Sequence, residues 1–187
     1  FFIEWNASLE LPGFLSEFEQ AAREMEDRAM EMTVYFTEFD SFPMFILGFI
    51  VIAVIPGLGE ELVFRGFLQN YFHRSSKNIH LAIWASAFLF SAIHMQFFGF
   101  VPRLLLGALF GYLYYWSGNL IVPVLAHVFN NGFTIIMMYL NQLSITNIDV
   151  ESTESIPLAY ILLSTLLTGG LIYVFRKISL EHFKLYK

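Results

Sequence analysis

Gly59-Glu60-Glu61-Leu62-Val63-Phe64-Arg65 sets three ionisable side chains inside an otherwise apolar run. At bilayer depth a charge costs at least ~2.5–3.5 kcal/mol on the most lenient scale, so such residues are rare there and are functional candidates by default. Two later stretches make similar placements: Phe90-Ser91-Ala92-Ile93-His94 and His127-Val128-Phe129-Asn130-Asn131. The three together read as one polar site sunk in a helix bundle, and the fold expected is all-α, a polytopic transmembrane bundle.

Composition agrees. Of 187 residues, 57% are hydrophobic, 18% aromatic and 14% charged, where soluble domains run near 25% charged, an approximate figure. The mean hydropathy is +0.60. The net charge is −6, with the acids crowded before Asp40, and no basic cluster points to nucleic acid. The partners implied are the lipid bilayer and whatever the polar site binds. The absence of Cys excludes disulfides, thiolate metal sites and a Cys nucleophile. The chain opens Phe1-Phe2-Ile3 without Met and is expected to be a piece of a longer protein.

Around the opening stretch the apolar segments fall into place. Pro43 begins a first membrane segment that is apolar from Met44 to Ile55. Pro56-Gly57 and Gly59 then interrupt it, since proline lacks a donor and kinks helices, and the helix is expected to resume through Arg65 towards Phe72. Four further spans are expected at 79–98, 103–116, 120–140 and 156–175, about five in all. Gly107 and Gly111 form a small-xxx-small pair that lets helices approach closely. Before Pro43, apolar residues at Phe14, Phe18, Ala22, Met25, Ala29, Met32 and Phe36 mark one face of an N-terminal helix with many acids elsewhere. That acidic amphipathic helix is too charged to span. It should lie along the surface or pack on the bundle as a lid. The chain thus divides into residues 1–41 and a membrane-embedded domain, 42–187, with its core motifs at 59–131. Basic stretches at 73–78 and 176–187 are expected on the cytoplasmic side.

Glu60 and Glu61 point ~100° apart on a helix, so they cannot share one task. Glu61 and Arg65, four apart with the acid first, have the favoured order for an ion pair. That leaves Glu60 free to face a cavity. His94 alone reads more readily as a packed core histidine. His127 and Asn131 share a helix face and alone could be interhelical glue. Together, a Glu, two His and an Asn from three spans supply a base, a second acid/base and oxyanion donors. Water held between Glu60 and His94 could attack an amide carbonyl, with His127 and Asn131 donating to the developing oxyanion. A metal is the competing chemistry: Glu60, His94 and His127 would suit Zn²⁺ or another divalent ion. Against it, the chain has no H-E-x-x-H and Asn is a poor zinc ligand. Ser91 has no base at helical spacing, which disfavours a serine mechanism.

These residues resemble the CPBP family (CAAX protease and bacteriocin-processing, or Abi), which includes type II CAAX prenyl endopeptidases and proteins like lysostaphin resistance protein A. The family motif E-E-x-x-x-R matches Glu60, Glu61 and Arg65; F-x-x-x-H matches Phe90 and His94; H-x-x-x-N matches His127 and Asn131. Their order on successive spans also agrees. The resemblance covers roughly residues 43–140. It implies an intramembrane endopeptidase acting on a membrane-associated or CAAX-like peptide, in a multi-pass protein of the bacterial inner (plasma) membrane. It assigns water activation to Glu60 and His94, oxyanion binding to His127 and Asn131, and support to Glu61 and Arg65. Members are often labelled metalloproteases, and they usually carry additional N-terminal spans. Two alternatives remain: an ion-coupled carrier using Glu60, Glu61 and Arg65 beside a broken helix at Pro56-Gly57, and a non-catalytic scaffold or immunity protein.

Overall fold

The computed structural model describes residues 12–146 and 158–185, and every regular element among them is helical. After one 3₁₀ turn at Gly13–Leu15 comes α1, Ser16–Thr37. It is the acidic helix, laced by pairs four apart such as Arg23 to Glu19 at 2.8 Å. Then follow α2 (Phe42–Ser76), α3 (Ile79–Ala92), α4 (Phe100–Ser117), α5 (Ile121–Gln142) and α6 (Leu158–Leu185). The segment before Pro12 and the 147–155 part of the expected acidic loop lie outside the described residues.

Pro43 sits in the first turn of α2, where a missing N–H costs nothing. The interruption expected at Pro56-Gly57 does not occur. The helix widens into π turns at Ile50–Val54, where the Ile55 N–H reaches back five residues to the Ile50 carbonyl, and it runs on through Pro56. A second π stretch covers Leu62–Gln69, over Arg65. Such turns accommodate an extra residue within a helix and recur at functional sites. The broken helix behind the carrier alternative is therefore absent. The α2 helix ends at Lys77, which takes a left-handed conformation (φ 57°). The Asn78 side chain then caps α3 by accepting from the His80 and Leu81 amides at 3.0 and 3.2 Å.

The second span was expected to reach residue 98, but α3 stops at Ala92. Its 14 residues rise roughly 21 Å at 1.5 Å each, short of the ~30 Å hydrocarbon core. Met95 turns the chain at φ 54°. The Ser91 hydroxyl, donating to the Phe100 carbonyl at 2.6 Å, closes the loop onto the start of α4. Among the described residues, three stretches are long and apolar enough to cross a membrane: α2, α5 and residues 159–181 of α6. The chain is thus an integral membrane protein. Instead of meeting that criterion, α3 and α4 pack closely on each other. Gly107 and Gly111 permit it: a Cβ at Gly107 would lie 3.3 Å from the Ala87 Cα, and one at Gly111 2.8 Å from the Ile83 Cγ2. The expected small-residue pair is a real helix contact. Gly57 does the same for α5, where a Cβ would come within 2.7 Å of the Val128 Cγ2. The Gln142 amide brackets the Phe39 backbone at 3.1 and 2.8 Å, tying the α1–α2 link to the end of α5. Among the described elements α6 packs on α4 alone.

Candidate active site

Glu61 is fully buried in α2, and one of its carboxylate oxygens organises the site. That Oε1 accepts from Arg65 Nη1 at 2.6 Å and from His127 Nδ1 at 2.8 Å. Arg65, 1% exposed, also donates to the Gly107 carbonyl at 2.6 Å. Its guanidinium lies over the Phe90 and Phe110 rings at 4.9 and 5.4 Å. A delocalised cation fits such a cage because its flat faces are weakly hydrated while its edges hydrogen-bond. Phe110 also stacks on the His127 ring at 5.0 Å, and Phe90 meets that ring edge-on at 5.8 Å. Residues from α2, α3, α4 and α5 thus close around one ion pair, out of water.

His127 is 3% exposed. Glu61, ionised beside Arg65, can only accept, so His127 Nδ1 must carry the proton. Its other nitrogen, Nε2, faces Glu60 Oε2 across 3.7 Å. The two neighbouring glutamates therefore address opposite nitrogens of one ring. Their surroundings differ: the Glu61 side chain is 0% exposed, that of Glu60 29%. Glu60 Oε2 is itself buried and bonds no protein donor.

His94 lies not on the α3 helix but two residues past its end. Its Nδ1 is 2.7 Å from the Phe90 carbonyl, which can only accept, so Nδ1 donates and Nε2 carries the free lone pair. The half-buried ring also stands edge-on to Phe90 at 5.1 Å, and the charges of Glu60, Arg103 and His127 all act on it. Asn131 lies one turn beyond His127; its Oδ1 accepts from Asn130 at 3.2 Å, leaving the amide nitrogen to donate elsewhere. Glu60, Glu61, Arg65 and His127 are thus in direct contact. The hydrogen bonds found among the described residues tie neither His94 nor Asn131 to that group.

No set of three His, Asp or Glu side chains converges as a metal-ligand group among the described residues. Glu60 and His127 approach each other, but His127 Nδ1 is already given to Glu61. As placed, Glu60, His94 and His127 do not form a three-ligand metal site. Several further groups escape a reading of the sequence. Gln69, buried one turn beyond Arg65, donates to the Gly111 carbonyl at 3.2 Å. The Ser86 hydroxyl bonds the Phe64 carbonyl at 2.8 Å. The four-residue step from Arg65 was a usable signal for Gln69; nothing marked Phe110 among 22 phenylalanines.

The family model of type II CAAX prenyl endopeptidase Rce1-like proteins matches residues 42–133, which include all three motifs. This segment belongs to the Rce1-like family. Two curated relatives match part of the chain. The membrane-embedded CAAX protease MroQ of Staphylococcus aureus is 30% identical over 105 residues, covering 53% of this chain and 41% of MroQ. The uncharacterized protein YpbD of Bacillus subtilis is 30% identical over 82 residues, covering 42% of this chain and 39% of YpbD. The chain thus spans well under half the length of either relative. No solved structure matches. The Rce1-like segment holds α2 to α4 and α5 as far as residue 133; α1 and α6 lie outside it.

Proposed function

We propose that this protein is an intramembrane endopeptidase of the bacterial plasma membrane, with residues 42–187 as its protease domain. It hydrolyses a peptide bond of a membrane-associated or CAAX-like substrate. The observation that carries the reading is the relay Glu60···His127–Glu61–Arg65, in which one carboxylate stays free while its neighbour fixes the histidine.

In this mechanism Glu60 takes a proton from a water that the His94 Nε2 lone pair helps to hold. The water oxygen attacks the carbonyl carbon, and the carbonyl electrons move onto its oxygen. His127 Nε2–H and the Asn131 amide donate to that oxyanion. For His127 to donate from Nε2 while Nδ1–H stays on Glu61, the ring carries both protons. The formal charges of Glu60, Glu61, Arg65 and His127 then sum to zero, which suits a buried group. As the tetrahedral species collapses the C–N bond breaks, and the Glu60 proton passes to the leaving amine. Glu61 and Arg65 hold the histidine and touch no reacting atom.

Reconstitution in liposomes with a pool of synthetic peptides, some apolar and some ending in CAAX-like sequences, tests the reading by mass spectrometry of new termini. Wild-type protein should cut members of the pool, and His94→Ala should lower the rate by roughly 10²–10⁴-fold, the usual worth of a positioned acid/base. Retention of peptide without cutting by wild type would favour the non-catalytic binder instead.

A further inference from the structure

The loop that presents His94 is held from outside the Rce1-like segment. Glu26, midway along the acidic helix α1, accepts from the Phe98 amide at 2.6 Å and the Gly99 amide at 3.1 Å through the same oxygen. Those amides lie just ahead of α4, on its N-cap Gly99 and the residue before it, where the helix dipole favours an anion. Two neighbouring contacts fasten the same loop. The Arg23 guanidinium lies 4.5 Å from the centre of the Phe98 ring, and Phe18 meets Phe97 edge-on at 5.3 Å. Between α1 and α5 a cleft of about 210 Å³ is lined by Glu26, by Gln96, two residues beyond His94, and by Thr134, three beyond Asn131. The α1 helix therefore packs beside both stretches that carry the site's outer residues.

We propose that Glu26 is a positioning residue: by clasping the Phe98 and Gly99 amides it fixes the turn that presents His94, making the acidic helix part of the site's machinery. This rests on the endopeptidase reading for its effect on rate, but not for its effect on His94 itself. The loop is also held, between the Met95 turn and Gly99, by Gln96, whose Oε1 accepts from Arg103, and by the buried Phe98 ring. Its inner end is pinned by the Ser91–Phe100 bond. With the clasp lost, the remaining contacts hold the turn less tightly and the His94 imidazole can shift.

The test uses the full chain in liposomes and compares wild type with Glu26→Ala, Glu26→Gln and Glu24→Gln. Glu24 is a control because its bonds to Gln20 and Arg28 stay within α1. The first readout is the rate of His94 modification by diethyl pyrocarbonate, measured by mass spectrometry relative to the exposed His80. Glu26→Ala should change that rate several-fold. Glu26→Gln keeps an acceptor oxygen and should restore most of the wild-type rate, and Glu24→Gln should match wild type. The second readout is kcat and KM on a peptide that wild type cleaves. Glu26→Ala should lower kcat roughly 10- to 100-fold with little change in KM, as expected for a misplaced acid/base. Glu26→Asp, which withdraws the carboxylate by one methylene and keeps the charge, replaces Glu26→Ala if that variant does not fold. Wild-type His94 reactivity in the variant lacking the clasp overturns the proposal, and so does equal loss in Glu26→Gln and Glu26→Ala. If wild type cleaves no peptide, the endopeptidase reading fails and the modification rates alone decide the role of Glu26.

Discussion

Glu60 and Glu61 differ by one position in the chain and by nearly everything around them. Glu61 shares one oxygen between Arg65 and His127 in a dry pocket, while Glu60 meets His127 only across 3.7 Å and its side chain is 29% exposed. Removing one partner of a buried pair leaves the other charge uncompensated, which typically costs ~3–5 kcal/mol. Glu61→Gln should therefore lower stability by about that amount, read as a fall in Tm in detergent. The Glu61–Arg65 pair was legible because a step of four places two side chains on one helix face. The bond from Glu61 to His127 was not, since 66 residues separate them and only the packing of α2 on α5 brings them together. The sequence also placed His94 within a helix; its position beyond the end of α3 depends on the Met95 turn, which no periodicity records.

At the scale of elements, glycine decides how near two helices come. The α4 helix lies against α3 and the second π stretch of α2 at Gly111, whose missing Cβ leaves room for Gln69 and Ile83. Gly111→Leu should destabilise the fold by ~1–3 kcal/mol through overpacking. Gly59 has open space where a Cβ would go. Gly59→Ala should be neutral or stabilising by up to ~1 kcal/mol, because alanine is the better helix former. Thermal unfolding of the two variants side by side checks the pair. Hydrophobic runs located α2, α5 and much of α6, because crossing a bilayer demands a long apolar stretch. They could not show that α2 passes Pro56 unbroken: a switch from four- to five-residue hydrogen-bond spacing changes the backbone register while leaving the apolar pattern intact.

For the whole molecule, the exposed surface is apolar where a soluble protein would be charged. Phe129, Leu166 and Ile55 stand 72%, 73% and 59% exposed on three different helices. If these surfaces face lipid, spin labels there should collide more with oxygen than with a water-soluble nickel chelate, and a label at Glu24 on α1 should show the reverse. The chain has no Cys, so single cysteines can be labelled without background. Equal accessibility to both reagents at all four positions would contradict the membrane placement. The acidic helix was expected at a surface or over the bundle, and it does dock on protein; its partner, the loop after His94, was beyond reach because two backbone amides leave no trace in a sequence.

The central claim is that Glu60 does chemistry while Glu61 holds structure. Its most direct test is kcat and Tm measured together for Glu60→Gln in liposomes, on a peptide that wild type cleaves. The account predicts a loss of roughly 10²–10⁴-fold in kcat with Tm close to wild type. Retained cleavage by Glu60→Gln would contradict it.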